Sequence, residues 1–203
     1  MMNRKIVDTH RGLVREAGVV ALMIVAILGG RSSLADHYVV PSGSMEYTLF
    51  PGDRMIVDKR AYGLRLPFTR VELVSGDAVR RGDVVIFDSP TDGTRLVKRV
   101  VAVGGDRVSL EDGQLTINGS PAAAPGAPAV EILGGKPVRL RLDHGGGPDL
   151  DIVVPDGQLL ALGDHRGNSR DSRYFGLVPE SEIYARAIAV YYRRDEGVVW
   201  RPL

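Results

Sequence analysis

Two serines flank a glycine at Ser42-Gly43-Ser44, a lysine interrupts a valine-rich run at Lys98, and His165 stands in the polar segment Gly163 to Ser169. Hydrolysis needs a nucleophile, a base and donors for an oxyanion. A Ser-Gly-Ser turn can offer the first and the last, because glycine admits another backbone closely and leaves amide N–H groups free for an anion. Read alone, the same three residues are also an ordinary surface turn. For the base, the chain has His10, His37, His144 and His165, and only His165 has neighbours suited to a Ser-His-Asp arrangement. No HExxH or paired-histidine spacing occurs, so no metal centre is expected. The chain contains no cysteine, which excludes disulfides, thiolate metal sites and a cysteine nucleophile.

Lys98 is the stronger candidate for the base. Alternate residues of a strand share a face, so Leu96, Lys98, Val100 and Ala102 are expected to point one way. An amine on an apolar face is costly to bury charged. Desolvation lowers its pKa from about 10.4, and a drop of roughly three units gives a neutral amine near neutral pH that can deprotonate a serine. The competing reading is an edge-strand lysine whose head snorkels to water.

These residues must be held by short strands. The chain is rich in turn formers, with 25 Gly and 12 Pro, and its apolar runs are short. Strands are expected over Met55 to Asp58, Val84 to Phe87, Arg95 to Val103, Leu150 to Val154 and Leu159 to Leu162, with a final one at Ala187 to Tyr192. Residues 61–80 read as loop or hairpin and 180–185 as a short helical turn. Residues 107–150 change character: Gln114 to Ile117 and Val138 to Leu142 are separated by Asn118-Gly119, an Ala/Pro stretch over 121–129, and Gly145-Gly146-Gly147. The expected class is mostly β, an antiparallel β-sheet catalytic domain (36–106 and 151–203) with a small β insertion (107–150), preceded by one N-terminal transmembrane helix.

That helix is the anchor expected over 16–35, behind a cytoplasmic tail over 1–15. Ala17 to Gly30 carries no charge, Arg15 and Arg31 flank it, and Arg4, Lys5 and Arg11 precede it. Positive charge stays inside, so the rest of the chain is expected to face outward. A helix over 17–30 covers about 21 Å of a roughly 30 Å hydrocarbon core, so a cleaved signal peptide ending at Ser33-Leu34-Ala35 is the rival reading. Either reading exports the remainder. The whole chain of 203 residues has a net charge of +1 and no basic stripe, so nucleic acid is not expected as a partner.

Taken in order, four segments resemble the bacterial type I signal peptidases. They are Pro41 to Leu49 (PSGSMEYTL), Gly52 to Lys59 (GDRMIVDK) with Ala61-Tyr62-Gly63 behind it, Arg81 to Phe87 (RGDVVIF) followed by Leu96 to Val101 (LVKRVV), and Gly163 to Gly176 (GDHRGNSRDSRYFG). The resemblance implies Ser44 as nucleophile, Lys98 as general base, the Ser42 hydroxyl and Ser44 amide as the oxyanion hole, and Ser169 as the residue orienting the lysine. It implies Asp171 and Arg173 as a structural ion pair beside the site, and Asp164 and Arg166 as structural residues of the same loop. It further implies a Ser-Lys endopeptidase without cofactor or metal, cutting exported preproteins after small side chains at the −1 and −3 positions. The enzyme is expected to be a monomer in the bacterial cytoplasmic membrane. A Ser-Lys peptidase of narrow substrate range, as in conjugal transfer or pilin processing, shares these boxes. An inactive, membrane-anchored preprotein-binding protein is the reading from another class. Self-cleaving SOS-response repressors also use Ser and Lys but carry a DNA-binding domain where this chain has its apolar segment. Three positions depart from the family pattern: Tyr47 replaces the usual Pro, and His165 and Gly167 replace the usual Asn and Asp.

Overall fold

The computed structural model describes residues 16, 19, 20, 23, 35–65, 72–74 and 76–203. Glu16, Val19, Val20 and Met23 are helical and exposed. Among the described residues no helix is long and apolar enough to cross a membrane. Most of the anchor expected over 16–35 lies outside the described residues.

Apolar and polar residues alternating between Gly- and Pro-containing turns produce strands through the rest of the chain. Among the described residues these are β1 (Ala35–Val39), β2 (Arg54–Asp58), β3 (Leu64–Arg65), β4 (Glu72–Val74), β5 (Val84–Asp88), β6 (Arg95–Val103), β7 (Arg107–Glu111), β8 (Gln114–Ile117), β9 (Ser120–Pro121), β10 (Ala123–Ala124), β11 (Ala127–Leu133), β12 (Lys136–Arg139), β13 (Leu150–Val153), β14 (Gln158–Leu162), β15 (Val178–Pro179), β16 (Ile183–Arg193) and β17 (Gly197–Pro202). Short 3₁₀ turns at Gly43–Met45, Arg166–Asn168 and Glu180–Glu182 and a single-turn helix α1 (Ser172–Phe175) complete the elements.

The main sheet runs β1-β2-β16-β5-β6-β14-β15, with β17 added on β16, and every one of these pairs is antiparallel. Smaller sheets follow the orders β13-β7-β8-β9 and β10-β11-β12, and β3 pairs with β4 within the stretch expected to be a loop or hairpin. The mostly antiparallel β class therefore holds.

Several elements differ from expectation. The Ala/Pro stretch is not a spacer, since β10 and β11 both draw on it. The second expected strand of this region starts earlier, at Lys136. Gly134 and Gly135, at φ of +57° and +79°, form a two-residue turn that pairs Leu133 with Lys136, the geometry that favours glycine in tight hairpins. β16 begins before Ala187 and is followed by β17. β13 pairs with β7, so Leu150–Val153 sits in a small sheet rather than in the main one.

The small sheets share one apolar cluster with the main sheet. Val108, Leu110, Leu115, Ile117, Leu133, Val138 and Leu140 pack with Val101, Ala102, Leu160 and Leu162 of β6 and β14. A bulge between β6 and β14 pairs Ala161 with Val100 and Leu160 with Ala102. The extra residue breaks the alternation there. Ala102 accordingly joins Val101 in this cluster, while Val100 and Leu96 pack with Val85 and Phe87. The single face expected for Leu96, Lys98, Val100 and Ala102 ends at Val100.

Candidate active site

Two buried apolar side chains set the Ser44 turn. Met45 and Leu49 sit in the cluster around Met55, Val57 and Ala187, and they pull the chain after Pro41 down onto the sheet. Ser42 is extended, at φ −143° and ψ 164°, and leads into the 3₁₀ turn Gly43–Met45. The Glu46 N–H donates to the Gly43 carbonyl at 3.1 Å and the Leu49 N–H to the Met45 carbonyl at 2.8 Å. Ser44 is half-buried at the crest. The Ser42 hydroxyl oxygen lies 3.5 Å from Ser44 Oγ.

Lys98 arrives from β6, opposite Val85 of β5. It is 3% exposed, and its Nζ lies 2.7 Å from Ser44 Oγ. Burial pulls the amine down to about 8, against the charges of Asp171 and Asp164, which raise it, and with that of Arg173, which lowers it further. A base whose pKa lies near working pH combines a useful neutral fraction with real driving force.

The loop from Gly163 to Gly176 packs on the other side of Ser44. The His165 N–H donates to the Ser44 carbonyl at 3.1 Å. A Cβ on Gly163 would collide with Ser169 Oγ and with the Ser44 carbonyl oxygen, so only glycine lets this loop approach the turn so closely. Ser169 is buried beside it, and its Oγ has no hydrogen-bond partner among the described residues. The hydrogen bond expected from it to Lys98 is not formed.

Charged pairs brace this loop. Asp171 caps α1 by accepting the Arg173 N–H at 3.3 Å, and the two side chains pair at 2.8 Å. Asp171 also accepts the Gly163 N–H at 3.0 Å, and Arg173 donates to the Arg166 carbonyl at 2.7 Å. Asp164 pairs with Arg99 at 2.8 Å and accepts from the Thr48 hydroxyl, while Arg99 donates to Thr48 Oγ1 at 2.9 Å. Arg166 reaches into the small sheets and forms a two-pronged pair with Glu131, at 2.9 and 2.5 Å, both side chains being 1% exposed.

Arg99, Thr48, Glu131 and Gly163 were not among the sequence candidates. Arg99 carried a signal: a second cation in a valine-rich strand also needs a buried partner. Glu131 carried none, because nothing local relates it to Arg166.

A profile of the family described as "Signal peptidase, peptidase S26" matches residues 13–192. The chain belongs to this signal peptidase family. It is 35% identical to "Signal peptidase I" of Pseudomonas fluorescens over 202 residues, covering 84% of this chain and 68% of that one. It is 34% identical to "Probable signal peptidase I-2" of Synechocystis over 181 residues, covering 83% and 68%. A solved signal peptidase I from Enterococcus faecalis V583 matches at 25% identity and a TM-score of 0.40, covering 61% of this chain and 97% of that one.

Two departures from the signal peptidase pattern now have places. Tyr47 is 39% exposed, and the Arg139 guanidinium stacks 4.3 Å from its ring centre, which ties the turn after Ser44 to β12. His165 is 2% exposed and directs its imidazole at Asp143: Nε2 lies 2.7 Å from Asp143 Oδ1. The approach is off the axis of a hydrogen bond, and neither ring nitrogen has an aligned partner among the described residues.

Proposed function

We propose that this member of the signal peptidase family is a membrane-bound serine endopeptidase that removes signal peptides from exported preproteins, with Ser44 as nucleophile and Lys98 as general base. The observation that carries the reading is the 2.7 Å approach of a buried amine, its pKa pulled down to about 8, to the Ser44 hydroxyl. Relatives named signal peptidase I support the substrate class.

In this reading neutral Lys98 takes the Ser44 proton as Oγ attacks the scissile carbonyl. The negative oxygen that forms is received by the Ser44 N–H and the Ser42 hydroxyl. Collapse of the tetrahedral species breaks the peptide bond, and the leaving amine takes the proton back from Lys98. The acyl-enzyme remains on Ser44. Lys98 then draws a proton from water, which attacks the ester and frees Ser44. Asp171, Arg173, Asp164 and Arg166 hold the loop that backs Ser44. The preprotein segment lies extended along a strand edge, with small side chains at −1 and −3.

The segment 16–35 anchors the chain in the bacterial cytoplasmic membrane with its N-terminus cytoplasmic and the catalytic sheets outside. Tethering enzyme and preprotein to one bilayer raises their effective concentration. The test is cleavage of a preprotein by the full chain in detergent. Ser44→Ala and Lys98→Met are each expected to lower turnover by about 10⁴-fold or more. Wild-type turnover in either variant would sink the dyad.

A further inference from the structure

We propose that Asp143, His144 and His165 form a site for a borderline divalent cation of the zinc type. One ligand atom from each of the three lies within 4.8 Å of the others. The Asp143 carboxylate is central: Oδ1 is 2.7 Å from His165 Nε2, and Oδ2 is 3.5 Å from His144 Nδ1.

A second, independent feature points to a ligand. The His165 imidazole is 3% exposed and directed at this carboxylate, yet neither ring nitrogen has an aligned hydrogen-bond partner among the described residues. A buried polar group without a partner is costly, and a metal ion on Nε2 satisfies that nitrogen.

The surroundings suit a cation. Arg141 donates to Asp143 Oδ2 at 2.9 Å, which orients the carboxylate as partners behind metal ligands do. Arg141 also pairs with Glu46, so two carboxylates face one guanidinium and the cluster retains a negative charge. Two imidazoles and one carboxylate are a donor set that zinc accepts, with a fourth position left for water. Magnesium and calcium prefer all-oxygen sites.

Backbone pairing holds the two halves of the site together. The Arg141 N–H donates to the Asp164 carbonyl at 2.9 Å and the Arg166 N–H to the Arg141 carbonyl at 3.0 Å. A bound ion staples residues 143–144 to the loop whose His165 N–H holds the Ser44 carbonyl.

The full chain is purified in detergent without a polyhistidine tag, stripped with chelator and titrated with Zn²⁺ alone, with binding followed by equilibrium dialysis and Tm by thermal unfolding. One Zn²⁺ per chain is expected, with a rise in Tm that Mg²⁺ does not reproduce. His165→Asn and His144→Ala are each expected to weaken binding about tenfold or more, while His37→Ala leaves it unchanged. The His144 side chain is 67% exposed, so its removal reports on the ion rather than on folding. Binding that persists unweakened in the double variant His144→Ala/His165→Asn, or no binding by the wild-type chain, overturns the proposal. Binding needs no turnover, so the outcome is independent of the peptidase reading.

Discussion

Lys98 holds its amine where charge is expensive. Its pKa falls from 10.5 to about 8 because burial disfavours the ammonium. Below pH 8 the ammonium is charged in both states but buried only in the folded chain, and the difference corresponds to about 3 kcal/mol. Between pH 8 and 10.5 the unfolded state binds the extra proton, so the Lys98 contribution to stability climbs with pH across that window. Lys98→Met is therefore expected to be more stable than wild type at pH 7, with the gap closing toward pH 10.5; urea titrations across pH measure it. In the same pH range kcat/KM of the wild type is expected to rise through about 8. That limb should persist in His165→Gln and be missing from any residual activity of Lys98→Met. Gly163 gives a second prediction at this scale. A methyl group there pushes on Ser169 and on the Ser44 carbonyl, and a displacement of that kind costs about 10²-fold in rate. Gly163→Ala is expected to lose activity by roughly that factor while still folding cooperatively, as a paired turnover and Tm measurement will show.

Among the elements, β6 was readable because Arg95 to Val103 is long, valine-rich and bounded by turns, and its limits match the observed strand. The bulge at Val101 was not readable, because it is set by how β14 pairs with β6. β11 was hidden for another reason. Its residues Ala127–Leu133 alternate weakly, with Pro128 among them, and it becomes a strand by pairing with β12 across the Gly134-Gly135 turn. That hairpin places Glu131 against Arg166 of the loop backing Ser44. Breaking a buried ion pair by neutralising one partner costs about 3–5 kcal/mol. Glu131→Gln is expected to lower unfolding free energy by that amount in urea titrations. A loss below 1 kcal/mol would show that the small sheets do not brace the loop.

At the scale of the molecule, residues 107–150 help to complete the core that β6 and β14 begin. Their sequence reads as an insertion because Gly, Pro and Asn turns dominate it. In the fold they cover β6 and β14 of the main sheet with a continuous apolar cluster. Replacing 107–150 by a short Gly/Ser linker exposes Val101, Ala102, Leu160 and Leu162, at roughly 25 cal/mol per Å² of apolar surface uncovered. The shortened chain is expected to fail to fold cooperatively; circular dichroism and a broadened thermal transition report it, and a sharp transition at wild-type temperature would contradict it.

The sequence by itself determined the mostly β class and the short strands between turns, while its resemblance to the signal peptidases implied the roles of Ser44 and Lys98. The class and the strands rest on local composition and on the period of two along a strand. It also singled out His165 and Tyr47 as unusual without giving them partners. Only the tertiary structure decided what meets what. Ser44 and Lys98 are 54 residues apart and lie 2.7 Å apart in space; Arg166 finds Glu131 across 35 residues; His165 finds Asp143. Each of these contacts follows from strand pairing and shared burial between distant segments, and no local pattern encodes that.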